Sequence, residues 1–130
     1  MKSFVVTLFL LLSSVLFASH KKESRSILLE YGMSCRTSSG AIIQIDPVGR
    51  GYEMSIDYEG RIYESIFFSY KRSSRNPHKY YFKTDELLKM KLVENKNGGG
   101  ILTLGENNIK LLKRVGFDLR DSEVFCDSYE

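Results

Sequence analysis

An all-β, mainly antiparallel fold is what this chain of 130 residues predicts: a single small barrel or sandwich of about eight strands, with room for one short helix, pinned by one disulfide. Three observations carry that expectation. Tyr52, Met54, Ile56 and Tyr58 alternate strictly with Glu53, Ser55 and Asp57, the period of two that marks a strand with one wet face. Turn signals recur along the chain at roughly 10–12 residues, the spacing of small antiparallel barrels and sandwiches. Two cysteines frame the β-rich part, Cys35 near its start and Cys126 near its end.

The first residues set the compartment. Met1-Lys2-Ser3 gives a short positive start, Phe4 to Phe17 is almost wholly apolar, and Ala18-Ser19 supplies small residues. That three-part layout is a secretory signal peptide over residues 1–18. The apolar run is shorter than the roughly 20 residues of a spanning helix, and no cysteine stands at the cut to take a lipid. A permanent N-terminal anchor is the alternative, since Leu16 at the third position before the cut is not small. Export to a periplasm or to the outside is therefore expected, with no transmembrane segment after cleavage. A flexible leader over residues 19–26 and one β-rich domain over 27–130 would follow. In an oxidising compartment two cysteines allow one pairing, Cys35 with Cys126.

The elements then follow in order. Ile27 to Cys35 and Ala41 to Ile45 flank the turn residues Thr37-Ser38-Ser39-Gly40, although Lys22 to Tyr31 also suits a helix. Asp46-Pro47 and Gly49-Arg50-Gly51 break the chain before the alternating Tyr52–Tyr58 run. Glu59-Gly60 is a hairpin signal leading into Arg61 to Tyr70. Leu88, Met90 and Leu92 alternate with Lys89 and Lys91. The acids behind Thr84 make Thr84 to Leu88 the strongest site of helical competition. Asn95 to Gly100 reads as a hairpin tip, Ile101 to Leu104 as a strand, Glu106-Asn107-Asn108 as a turn, Ile109 to Val115 as a strand, and Glu123 to Cys126 as the last strand.

Motifs of catalysis are missing from this pattern. There is no Gly-x-Ser-x-Gly elbow, P-loop or dinucleotide fingerprint, and Gly98-Gly99-Gly100 lacks the Lys-Ser/Thr of a phosphate cradle. His20 and His78 are the only histidines, too few for a His-rich zinc site or a two-histidine mechanism. No enzyme, cofactor or metal is expected. A small secreted hydrolase is the weaker alternative, and it would need His78 in a concave pocket within reach of an acid such as Glu64, Glu86 or Asp85.

One stretch rises above that background. Lys71-Arg72-Ser73-Ser74-Arg75-Asn76-Pro77-His78-Lys79 is a basic loop bracketed by Phe67, Phe68 and Tyr70 before it and by Tyr80, Tyr81 and Phe82 after it. Lys71 to Lys91 carries seven Lys/Arg against Asp85 and Glu86, whereas Phe117 to Glu130 carries one Arg against five acids. A basic loop between rings can hold anions while the rings stack or anchor. The binding residues it nominates are Tyr70, Lys71, Arg72, Arg75, His78, Lys79, Tyr80 and Tyr81. A solvated hairpin whose rings are simply core is the competing reading. The formal charge of +3, falling to +2 once Lys2 is removed, is too mild for a dedicated nucleic-acid binder.

One likeness to a known family stands beside this. Tyr31-Gly32-Met33-Ser34-Cys35, then Ser39-Gly40, the strand Ala41 to Ile45 and a final strand ending in Phe125-Cys126 resemble in layout the periplasmic inhibitors of c-type lysozyme. Those are small exported β-barrels with a cysteine near each end, so the resemblance implies the architecture. It implies no functional residues. That family's Ser-Gly-x-x-Tyr segment, its Trp and its Lys-Gly pair have no counterpart, since Ser39-Gly40 is followed by Ala41, Ile42 and Ile43 and the chain has no Trp.

The expected function is an exported, non-catalytic binding or inhibitor module that recognises a protein or an anionic envelope component through the basic, aromatic-flanked loop. The alternative is an accessory subunit of an envelope or surface assembly, joined through an outermost strand, and a weaker one, implied by the resemblance, is a periplasmic lysozyme-inhibitor-like protein.

Overall fold

The computed structural model describes residues 26–96 and 98–129. The export segment read at residues 1–18 and the leader up to residue 25 lie outside them. Among the described residues no helix is long and apolar enough to cross a membrane.

A short helix opens the domain: α1 runs from Ile27 to Tyr31, and the Ser26 hydroxyl caps it by accepting from the Leu29 N–H at 3.2 Å. Ser26 is thus a buried part of the domain, not of a leader. The strand read from Ile27 begins only at Met33, because Leu28 and Leu29 are adjacent apolar residues that a helix can bury together and a strand cannot. After α1 come β1 (Met33–Arg36), β2 (Ile42–Val48), β3 (Gly51–Tyr58), β4 (Arg61–Phe67), β5 (Lys71–Arg72), β6 (Lys79–Phe82), β7 (Met90–Glu94) and β8 (Gly99–Thr103). Helix α2 (Glu106–Arg114) and strand β9 (Glu123–Ser128) complete the chain. The strands form one antiparallel nine-stranded sheet, in the order β4-β3-β2-β1-β9-β8-β7-β6-β5, curled into a half-barrel.

The hairpin expected at Glu59-Gly60 is present. Tyr58 pairs with Arg61 across two residues that both take positive φ, 51° and 78°, as a two-residue turn between right-twisted strands requires. Pro47, read as a break, lies inside β2 opposite Tyr52. It sits beyond the last β1 pair, Met33 with Ile45, so its missing N–H costs no bond on that side.

Helix α2 replaces the expected turn and strand at 106–115. Leu104, Asn108 and Leu112 stand four apart and are all buried, while Lys110, Lys113 and Arg114 are exposed. As a strand, Lys110, Leu112 and Arg114 would share one face, mixing charge with core. Glu106 in the first turn and Lys113-Arg114 in the last suit the helix dipole. Gly116, at φ 96°, ends the helix, with the Phe117 N–H turned back to the Leu112 carbonyl at 2.9 Å. At Thr84 the Leu87 N–H does find the hydroxyl, at 3.0 Å, yet no helix propagates. The two acids behind Thr84 are engaged elsewhere.

That engagement closes the half-barrel. The Asp85 N–H donates to the Ile66 carbonyl at 2.9 Å, and the Asp85 carboxylate accepts from the Ser65 hydroxyl and from the Ile66 N–H. The Tyr63 hydroxyl donates to Glu86. Segment 84–87 therefore seals part of the β4 edge, and Phe67 on β4 stacks on Phe82 of β6 with centroids 4.5 Å apart. Inside lie Cys35, Ile43, Ile45, Met54, Ile56, Tyr80, Leu92, Leu102 and their neighbours. The Cys35–Cys126 disulfide joins the directly paired positions of β1 and β9 in mid-sheet.

The seam has an acid-sensitive bond. The Ser65 hydroxyl, then the Ile66 N–H, hold the Asp85 carboxyl below the ordinary carboxylate range. A depressed folded pKa contributes stability that is complete above the unfolded value of about 4 and disappears as pH falls through the folded one. Wild-type protein is therefore expected to lose stability on acidification below about pH 4, and Asp85→Asn to lose less. Urea midpoints taken between about pH 2 and pH 6 check this. Equal slopes would move the effect to Asp121, whose carboxyl is likewise lowered by the Ser38 N–H and hydroxyl.

Candidate functional site

Pairing registers decide where the basic residues point. Lys71 faces Tyr81, and Tyr81 faces Lys91. Tyr80 and Phe82 turn into the core, so Lys79 and Tyr81 turn outward along β6, and Lys83, just past its end, is exposed. On β7, Met90 and Leu92 are buried, which places Lys89 and Lys91 on the same outer face. Lys83 and Lys89 flank the last β6–β7 pair, Phe82 with Met90, just beyond the ends of the two strands. Five lysines thus surround Tyr81 on the outside of β5–β6–β7. Among the described residues none of the five makes an ion pair. The two acids of this stretch, Asp85 and Glu86, are turned to the β4 seam.

A cleft of about 270 Å³ opens beside this face, lined by Ser69, Tyr70 and Lys71 on one wall and by Tyr81, Phe82, Lys83 and Lys89 on the other. The Lys89 ammonium stands 4.4 Å from the centroid of the Tyr81 ring. Tyr70 is held edge-on against Tyr80 at 5.4 Å and against Tyr52 at 6.0 Å, which makes its ring a fixed wall.

The nominated residues therefore divide. Tyr70, Lys71 and Tyr81 meet in the cleft, and Lys79 lies on the same outer face. Tyr80 is only 2% exposed and belongs to the core. Its hydroxyl is pushed up in pKa by burial and next by the Glu94 carboxylate, with Arg72 and Ser26 opposing. Arg72 covers that ring, its guanidinium carbon 5.5 Å from the centroid, so it is a packing residue more than a projecting charge. Arg75 and His78 sit in the 73–78 loop, which its own bonds fix: Ser73 N–H to the Lys79 carbonyl at 2.8 Å and His78 N–H to Asn76 Oδ1 at 2.9 Å.

The His78 side chain is 67% exposed; among the described residues the acid it approaches is Glu94, at 4.0 Å from Nδ1, and the two line a small pocket with Asn95 and Gly98. Glu94 already receives the Ser26 hydroxyl and the Leu28 N–H at the start of α1. Of the bracketing rings, Phe67 and Phe82 are core, while Phe68 is 70% exposed.

Lys83, Lys89 and Lys91 were not nominated, although they lie within the basic excess from Lys71 to Lys91. The signal that finds them is alternation with the buried Phe82, Met90 and Leu92 on two paired strands. Gly100 is a second omission. Read as part of a hairpin tip, it lies in β8, where an added Cβ would come within 2.8 Å of Leu28 Cδ1 and 2.9 Å of the Val93 carbonyl. Gly100 is what lets α1 seat on the sheet and close that end of the half-barrel.

The outermost strand β4 exposes Ile62 and Ile66, but its edge is bonded to Asp85 at Ile66 and crossed at Arg61, which donates to the Gly116 carbonyl at 2.6 Å. Comparison with models of known families, with curated proteins and with solved structures gives no match for this chain.

Proposed function

We propose that the chain is an exported, non-catalytic binding module whose outer β5–β6–β7 face holds an anionic or acidic partner. One observation carries the reading: five lysines ring Tyr81 on one sheet face, with the stretch's own acids diverted to the barrel seam. Like charges gathered on one sheet face repel one another, so a fold that collects them leaves a charge for something else to neutralise. Lys71, Lys79 and Lys91 stand on strands, which fix their spacing better than a loop would. The sequence pattern alone points to the Lys71–Lys79 loop for this role. The face proposed here keeps Lys71, Lys79, Tyr70 and Tyr81 and adds Lys83, Lys89 and Lys91. Export rests on the N-terminal sequence and agrees with the disulfide.

The test is retention on immobilised heparin, a soluble polyanion, as salt is raised. Wild-type protein is expected to bind at low salt and to elute with a marked salt dependence. A variant carrying Gln at 71, 79, 83, 89 and 91 is expected to elute at clearly lower salt and to melt at the same or a slightly higher temperature. Identical elution of the two would overturn the reading.

A further inference from the structure

We infer that the cleft between the β4–β5 connection and the end of β6 is a site for a tetrahedral anion borne on one ring, that is, a phosphate or sulfate ester of a single sugar unit. The inference rests on reading the lysine face as an anion-binding surface and names what its concave part accepts. Size is the first argument. At about 270 Å³ the cleft lies just below the roughly 300–1,000 Å³ of sites for drug-sized ligands, so it fits one ring and its substituent, not an oligomer.

The polar lining is the second. The residues that supply it are Lys71, Lys83 and Lys89 with Ser69, Tyr70 and Tyr81, and no acidic residue is among them. Such a lining offers many donors and calls for a ligand rich in acceptors. Compact ammonium charges on three lining lysines suit a tetrahedral oxyanion. A planar carboxylate is matched better by the fork of an arginine, and none lines the cleft. Lys83 and Lys89 line the same wall of the cleft, so an oxygen cluster there would meet both cations.

The walls supply the third argument. Tyr81 presents a ring face on which Lys89 rests at 4.4 Å, and Tyr70 is locked by Tyr52 and Tyr80. A sugar ring between them would pack on aromatic carbon while its ester oxygens draw the lysines, Lys89 among them.

The experiment measures binding by titration calorimetry and by melting-temperature shift, with glucose 6-phosphate, glucose 6-sulfate, glucose and inorganic phosphate as probes. Either ester is expected to bind at least tenfold more tightly than inorganic phosphate and to raise the melting temperature, and glucose alone to do neither. The stronger of the two esters identifies which anion the site prefers. Lys83→Gln with Lys89→Gln is expected to weaken ester binding tenfold or more. Tyr81→Ala is expected to erase the preference of ester over inorganic phosphate while the fold, read by its melting curve, survives.

Equal binding of ester and inorganic phosphate would overturn the inference, because the ring is then not read. So would ester binding that ignores the lysine substitutions. If the esters fail to bind but heparin retention still depends on the lysines, this inference falls and the surface reading stands. If retention ignores the lysines as well, both fall.

Discussion

Replacing both bridged cysteines, Cys35→Ala with Cys126→Ala, is expected to lower the stability of the domain by roughly 3–5 kcal/mol and its melting temperature by something on the order of 20 °C. The bond spans 91 residues of sequence, so it removes a large part of the conformational freedom of the unfolded chain. It also joins β1 to β9, the one pairing that links the two halves of the sheet, with β2–β4 on one side and β5–β8 on the other. Both cysteines are buried, and alanine avoids leaving a buried hydroxyl without a partner. Urea unfolding of wild type, wild type under reductant and the double variant checks this. Wild type under reductant should fall towards the variant, and the variant should not respond to reductant. A loss below about 1 kcal/mol would mean that the β1–β9 ladder alone restrains the halves.

Asn108→Ala carries the second largest expected effect, a loss of roughly 2–3 kcal/mol. Asn108 is 1% exposed, and its amide makes three bonds: Oδ1 accepts from the Leu88 N–H at 2.8 Å, while Nδ2 donates to the Leu88 carbonyl at 3.0 Å and to the Leu104 carbonyl at 2.7 Å. One side chain thus ties α2 to the end of β8 and to the segment that seals β4. Truncation strands three backbone groups, and the desolvation cost of those groups dominates the loss. The seal should loosen with it. Amide exchange at Asp85, whose N–H bonds Ile66, is expected to quicken more than exchange in β2 or β3, where the ladder is intact. Asn108→Asp separates shape from bonding, since it keeps the acceptor and the volume but loses both donors. If Asp at 108 were tolerated at neutral pH, the hydrogen-bond account of this position would be wrong.

How much of this was legible depends on the residue. The Glu59-Gly60 hairpin was readable because a two-residue turn announces itself locally and strict alternation runs up to it. The helix at 106–114 was also readable in principle, from the spacing of Leu104, Asn108 and Leu112 and from Gly116. It was masked by Asn107-Asn108, which looks like turn chemistry, with Asn108 in fact a buried connector. Thr84 shows the opposite case. Its capping bond is present, but Asp85 and Glu86 gain more from the open edge of β4 than from a first helical turn.

The candidate site was legible only as an excess of charge. Tyr70, Lys71 and Tyr81 fall in it. Arg72 and Tyr80 do not, because strand β6 must bury one of each two neighbouring residues, and the tyrosine at position 80 is the one that meets Leu92 across the pair. Nothing local says which tyrosine goes inside.

By itself the sequence determined that the chain would be a sheet of short antiparallel strands and that Cys35 would pair with Cys126. It determined as well that positive charge would gather between Lys71 and Lys91. Those properties are set by alternation, by count and by composition, which are local or need no geometry. Only the tertiary structure decided that nine strands would run in the order β4 to β5 through β1 and β9, and that segment 84–87 would seal the free edge of β4. The same long-range pairing draws Asp85 and Glu86 away from the lysines and sets five of them around one tyrosine. The physical reason is that register and curl are properties of strands meeting across the whole chain, where a shift of one residue would turn every lysine of β6 and β7 to the opposite face.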